Sequence, residues 1–255
     1  MAGTSHVHRL LLPGESPVHR LPAHVKLPAT LAFVVLVVLT PREQYWAFAA
    51  HAALLGVVVA VARLPPATLL RRMVVEVPFL AFAALMPFLS TGDRTEVLGL
   101  SLSVDGLHSA WNVVAKATLG VAASVLLAAT TDVRDLLVGL ERLRMPSLLV
   151  QILGFMIRYG DVVTGEMHRM RVARESRGFV ARDVRQLPVV ARSAGALFVR
   201  TYERGERVHL AMLSRGYTGR MPGHDATSTS PAHLLTASAL PLAAGLVTVL
   251  ALLTS

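Results

Sequence analysis

The sequence contains no cysteine, which excludes disulfides, thiolate metal sites and cysteine nucleophiles together. Lysine is almost missing as well: Lys26 and Lys116 are the only two, and neither follows the Gly-x-x-x-x-Gly run of a phosphate-binding loop. No phosphate-binding loop with its lysine is therefore present in this sequence. Charge is sparse, at 16% of 255 residues against 53% hydrophobic, a balance that a water-soluble domain of this length would struggle to keep dispersed. Residues 1–26 hold His, Pro and Arg without an apolar core, so no cleavable signal is expected and the segment reads as a cytoplasmic leader.

What charge there is has a marked distribution. The formal net charge is +9, yet 16 of the 25 Lys and Arg residues lie between Asp132 and Pro222, interleaved with nine Asp or Glu. A mixed block of this kind reads as a cytoplasmic domain rather than a nucleic-acid surface. Elsewhere the chain is a series of apolar runs. A bilayer core of roughly 30 Å needs about 20 helical residues at 1.5 Å rise each. Five stretches are expected to cross: Leu27 to Thr40, Trp46 to Ala62, Val74 to Leu89, Leu107 to Thr130 and Leu234 to Leu253. The fold class is thus an all-α polytopic bundle of about five transmembrane helices with a helical cytoplasmic domain. Its expected divisions are a leader over 1–26, four spans over 27–131, cytoplasmic helices over 132–222, a linker over 223–232 and a last span over 233–255.

Basic residues set the expected orientation, because positively charged loops stay in the cytoplasm. Arg9, Arg20 and Lys26 precede the first span, and Arg63, Arg71 and Arg72 separate the second from the third. The loop from Ser90 to Gly106 carries Asp93, Glu96 and Asp105 against Arg94 alone and is expected outside. The Arg-rich block then falls inside. Within it, Leu148 to Ile157 is apolar but too short to cross, so it reads as amphipathic, and Pro146 and Pro188 divide the block into about three helices.

One pattern occurs twice in this block. Ala173-Arg174-Glu175-Ser176-Arg177-Gly178-Phe179 and Ala211-Met212-Leu213-Ser214-Arg215-Gly216-Tyr217 share the skeleton Ala-x-x-Ser-Arg-Gly-aromatic. A single copy reads first as a helix end, with Gly taking the left-handed conformation and Arg complementing the negative end of the dipole. Two matched copies point further. A guanidinium at a helix tip offers a planar fork of donors to carboxylates in a groove of another protein, and two tips suit a two-fold partner.

These residues resemble the energy-coupling-factor T components, and within them the CbiQ cobalt-transport family. The resemblance rests on His19-Arg20-Leu21 with Lys26-Leu27, on Ala128-Ala129-Thr130-Thr131 leading to Leu136-Leu137, and on Leu140-Glu141-Arg142-Leu143-Arg144-Met145-Pro146. Phe155-Met156-Ile157-Arg158-Tyr159 and Arg200-Thr201-Tyr202-Glu203-Arg204-Gly205-Glu206-Arg207 extend it over nearly the whole chain. It implies a non-enzymatic coupling subunit of a cell-membrane importer of bacterial or archaeal type, with no cofactor of its own. Its implied partners are two ATP-binding-cassette ATPase subunits (CbiO-like), a substrate-binding membrane subunit (CbiM-like or another S component) and membrane lipid, without nucleic acid. By the same resemblance, Ser176-Arg177-Gly178 and Ser214-Arg215-Gly216 end two crossed coupling helices that dock on the ATPases. Ala173, Glu175, Ala211 and Tyr217 support them. Cobalt is the implied cargo, with nickel, biotin or another vitamin as alternatives.

His6 and His8 form no metal site without a spatial partner and read as a loose terminus. Glu76 and Lys116 fall in or near apolar spans, where ionisable side chains face protein or water. A salt bridge between them competes with Glu76 reaching the interface. An intramembrane enzyme built on Glu76, Lys116 or His108 lacks the paired-acid or His-Glu-x-x-His spacing such chemistry uses. An autonomous transporter would show inverted repeats, which five spans with one insertion do not provide.

Overall fold

Apolar runs fold as helices here because a backbone deprived of water must satisfy its own donors and acceptors. The computed structural model describes residues 11–12, 14–90, 94–97, 100–179, 183, 186–219 and 231–254. Its helices are α1 (Pro17–Arg20), α2 (Ala23–Leu39), α3 (Tyr45–Val61), α4 (Pro66–Arg72), α5 (Val77–Leu89), α6 (Val104–Thr130), α7 (Val133–Arg142), α8 (Ser147–Glu175), α9 (Leu187–Leu213) and α10 (Pro231–Leu253). A 3₁₀ turn, Met73–Glu76, joins α4 to α5. Two compact units result, one of the described residues in 11–139 with those in 231–254, the other of those in 140–219. His6 and His8 lie outside the described residues.

The first unit is a bundle in which α6 packs against α2, α3, α4 and α5, while α10 packs against α2 and α3. Small residues face inward: Ala122, Ala123 and Ala129 of α6 and Ala244 of α10 are buried beside Phe33, Val37, Phe48 and Leu55. Large ones face outward, with Leu235, Leu242 and Leu253 of α10 at least 70% exposed and Phe79, Phe82 and Phe88 of α5 more than half exposed. Leaving such side chains in water forfeits about 1.5–3 kcal/mol each. In lipid there is no such loss, and small residues let helices approach closely. This inverted distribution is that of a membrane bundle.

Polar groups inside the bundle are tied between helices. His51 of α3 is fully buried, and its Nε2 lies 3.1 Å from the Thr40 hydroxyl and 3.4 Å from that of Thr248 on α10. The Phe33 ring meets it edge-on, 5.9 Å between centroids. The two lysines close helices. Lys116 Nζ, from the middle of α6, donates to the Val38 carbonyl in the last turn of α2 at 2.7 Å. Lys26 Nζ, from the first turns of α2, donates to the Thr130 carbonyl at 2.9 Å, to Thr131 Oγ1 at 3.3 Å and to the His19 carbonyl at 3.3 Å. The pairs 26 with 130 and 116 with 38 run α2 and α6 antiparallel. Each lysine thus places its charge at the negative end of the other helix.

Ahead of α2 the chain is fastened to the same place. The Leu12 amide donates to the Ala129 carbonyl at 3.0 Å. The neutral His19 ring donates from Nε2 to the Leu12 carbonyl at 3.2 Å, leaving Nδ1 to accept from the Ser16 hydroxyl at 2.6 Å. Burial pushes the His19 pKa below the ordinary imidazole value; the Leu12 carbonyl opposes that shift and the nearby Lys26 charge adds to it.

Three expectations change. The stretch from Leu148 to Ile157, expected to be too short to cross, is the first part of α8, which runs unbroken to Glu175 and is long and apolar enough to cross by length and composition. Nothing in 147–175 breaks a helix: Gly154, Gly160 and Gly165 lower propensity without removing a hydrogen bond. The other helices meeting that standard are Pro66–Leu89, Val104–Thr130 and His233–Leu253, while the first two expected spans are 17-residue helices, at the short end of the spanning range. Second, Arg94–Val97 and Leu100–Ser103 form a small antiparallel hairpin, Arg94 facing Ser103 and Val97 facing Leu100, within an otherwise helical protein. Third, Glu76 neither reaches the surface nor meets Lys116. It is 2% exposed and accepts a hydrogen bond from the Thr118 hydroxyl of α6.

Candidate functional site

The second unit holds the repeated Arg-Gly pattern. Its two long helices contain no fully buried residue. They associate at discrete points. Gln151 near the start of α8 accepts from the Tyr217 hydroxyl, and its amide donates to the Gly219 carbonyl at 3.1 Å. Further along, Glu166 receives Arg200 of α9 at 3.0 Å and Arg169 of its own helix at 2.5 Å. Since 151 pairs with 217 and 166 with 200, the helices run antiparallel. Between them lies a cavity of about 440 Å³ lined by Leu148, Ile152, Phe155, Val208 and Met212 among others. A well-packed core would fill such a space.

Both helices end by the same backbone device. Gly178 adopts φ +77° and Gly216 φ +82°. In the first tip, the Gly178 amide donates to the Glu175 carbonyl at 3.0 Å and the Phe179 amide to the Arg174 carbonyl at 3.1 Å. In the second, Gly216 donates to Leu213 and Tyr217 to Met212, both at 3.0 Å. This is the Schellman arrangement, in which the left-handed residue lets two amides return to the last turn. The serines behave alike as well: Ser176 Oγ donates to the Ala173 carbonyl at 3.1 Å and Ser214 Oγ to the Ala211 carbonyl at 3.0 Å. Each hydroxyl is satisfied within its own turn, so neither serine presents a free donor.

The cap is therefore complete without the arginine side chains. Arg177 and Arg215 are exposed, and among the described residues neither guanidinium has an ion-pair or hydrogen-bond partner. Elsewhere the left-handed position is filled by arginine itself, Arg63 after α3 and Arg144 after α7, with φ of 53° and 63°. At the two tips glycine takes that position and the arginine stands one residue earlier. From Gln151, level with Tyr217, to Arg177 is about 40 Å of helix at 1.5 Å per residue. The two arginines thus stand at opposite ends of the antiparallel pair.

The supporting residues divide. Ala173 and Ala211 supply the carbonyls just described; Glu175 pairs with Arg171 at 2.7 Å while its carbonyl receives Gly178. Tyr217 anchors the second tip to α8, a role that Phe179 at the first tip, lacking a hydroxyl, cannot share. Gln151 and Glu166 carry no sequence signal beyond polarity at helical positions, and Arg200 stands out only as part of the run to Arg207. Their pairing depends on an α8–α9 register that no local pattern specifies. Among the described residues no three His, Asp or Glu side chains gather where they could hold a metal ion.

A protein named cobalt transport protein CbiQ, from Rhodobacter capsulatus, is 31% identical over 180 residues, 68% of this chain and 70% of that one. An energy-coupling factor transporter transmembrane protein EcfT from Heliobacterium modesticaldum is 28% identical over 225 residues, 82% of each chain. A Methanocorpusculum labreanum protein, named as a fused cobalt transport protein CbiMQ, is 25% identical over 214 residues, 81% of this chain. The chain spans 36% of that protein's length and 48% of that of a Methanocaldococcus jannaschii relative. The profile of the family described as CbiQ, cobalt transport protein, matches residues 14–224, which takes in the α2–α6 bundle and both Arg-Gly tips. With apolar helices long enough to cross and the inverted packing of the bundle, this multi-pass membrane protein belongs to the CbiQ family of cobalt transport proteins.

Proposed function

We propose that the chain is the transmembrane coupling subunit of an energy-coupling-factor importer, passing motion from two ATP-binding-cassette ATPases to a membrane subunit that binds the substrate. The observation that carries this reading is the pair of matched tips: two backbone-capped helix ends, opposite in direction, whose guanidiniums have no described internal partner. Two equivalent tips call for two equivalent grooves, as a paired ATPase offers. Charge-assisted hydrogen bonds contribute roughly 1.5–3 kcal/mol each, so the apolar residues flanking them, Leu213 and Tyr217 at one end and Val172 and Phe179 at the other, must share the docking. The chain is no enzyme in this reading and carries no cofactor. Its cargo is cobalt, a choice that rests on the names of its relatives.

In this arrangement the N-terminus and both tips are cytoplasmic, with α8 lying along the inner side rather than crossing. The antiparallel union of α8 with the charge-bearing α9 supports that placement, because Glu166 with its two arginines would otherwise enter lipid. Nucleotide binding draws the ATPases together and moves the tips by their differential contacts in the two states. Arg177→Ala combined with Arg215→Ala is expected to abolish ATP-dependent cobalt uptake by vesicles holding the assembled importer, with membrane insertion intact. Uptake at the parent rate would remove the coupling role.

A further inference from the structure

The bundle contains a second, internal use of cations that the docking role does not explain. Lys26 is 6% exposed and directs all three donors of its ammonium at acceptors from separate segments: the His19 carbonyl ahead of α2, the Thr130 carbonyl at the end of α6, and the Thr131 hydroxyl at the start of the link to α7. The Thr130 carbonyl belongs to the last turn of α6, where no further amide follows to receive it. The charge of Asp135, on the first turn of α7, attracts the same ammonium. Leu12, through the Ala129 carbonyl, fastens the preceding residue of α6.

A second contact bears on the same junction. Gly139 of α7 lies so close to the start of α2 that a Cβ there would stand 2.9 Å from the His24 nitrogen and 3.0 Å from the Ala23 carbonyl carbon. Backbone cannot yield as a flexible side chain can. The first turn of α2 thus holds both the end of α6, through Lys26, and the body of α7, through the space at Gly139. From α7 the described backbone continues through Arg144 and Pro146 into α8, the helix whose cap carries Arg177.

We infer that Lys26 is a positioning residue for energy coupling: with Gly139 it fixes the α6–α7 junction to the start of α2, so that displacement of the coupling helices is carried into the bundle rather than absorbed at a slack joint. Lys116 makes the same kind of bond to the Val38 carbonyl, but there the chain turns into α3 and leads to no coupling helix. It serves as a control with matched chemistry. The inference rests on the coupling reading above, and its test separates the two.

The chain has no cysteine, so Ser124→Cys, on an exposed position of α6, accepts one environment-sensitive fluorophore. The importer, assembled with its ATPases and substrate-binding subunit in lipid nanodiscs, is given Mg-ATP while emission and hydrolysis are followed together. The emission response is expected to fall by about tenfold or more with Lys26→Met and with Gly139→Ala, and to stay within about twofold of the parent with Lys116→Met. Hydrolysis stays within about twofold throughout. A parent without a response, a full response in Lys26→Met, or equal losses in the two lysine variants would overturn the inference. Should Lys26→Met not assemble, Gly139→Ala decides, since alanine favours the helix and leaves the lysine in place; a retained response then overturns it. Failure of the coupling reading shows elsewhere, as ATPases that stay bound after loss of both Arg177 and Arg215.

Discussion

In the bundle, Lys26 and Lys116 direct their ammonium groups at carbonyls of their own chain, whereas in the α8–α9 pair Arg177 and Arg215 stand beside caps that the backbone completes without them. Both sets place a cation at the negative end of a helix. The lysine is a compact charge with three donors on a flexible stem and can be wholly consumed by convergent acceptors. The arginine is a rigid fork, and the glycine after it takes the strained conformation in its place. One set holds the molecule together. The other, without a partner among the described residues, is the set we propose to dock.

Breaking the outward set gives the largest expected effect. Arg177→Glu and Arg215→Glu, made singly, should each weaken retention of the ATPases by about tenfold or more, the counterpart of 1.5–3 kcal/mol. Titrating ATPase onto the immobilised chain measures it, and a variant with undiminished binding would end the equivalence of the two tips. Gly178→Ala and Gly216→Ala test the caps themselves. An added methyl meets nothing within 4 Å at either position, so the whole cost, about 1–2 kcal/mol, is that of left-handed backbone. Amide exchange in the last turns of α8 and α9 should rise equally in the two variants.

The tips also differ, and Tyr217→Phe isolates the difference. It removes the hydroxyl that reaches Gln151 and makes the second tip resemble the first, at a cost of about 1 kcal/mol. Faster exchange should be confined to the end of α9, with α8 unaffected beyond its first turns. The smallest effect belongs to the inward set and is a matter of pH. Because the folded His19 ring disfavours the proton more than the unfolded chain does, its contribution is full above the ordinary imidazole value of about 6.5 and is lost as pH falls through the lowered value. Exchange of the Leu12 amide, bound to Ala129, should then accelerate on acidification while amides at the Arg-Gly tips do not respond.

Much of this was written in local pattern. Apolar length gives the helices of the bundle, and the two Ser-Arg-Gly runs give the caps of α8 and α9, because glycine takes the left-handed conformation without the cost that other residues bear. The extent of α8 was legible in part: Pro146 and Pro188 bracket it, but its apolar start read as too short to cross, whereas the whole helix is long and apolar enough to do so. Lys26 and Thr130 were each visible as parts of separate runs, yet nothing in either run announces the other. Likewise Glu76 could be recognised as an acid near the start of a span, while its burial against Thr118 could not. By itself the sequence determined the periods, caps and composition, which depend on residues a few positions apart. Only the tertiary structure decided which ends meet across about a hundred positions, as Lys26 does with Thr130, because pairing at that distance is set by how helices pack and not by any repeat along the chain.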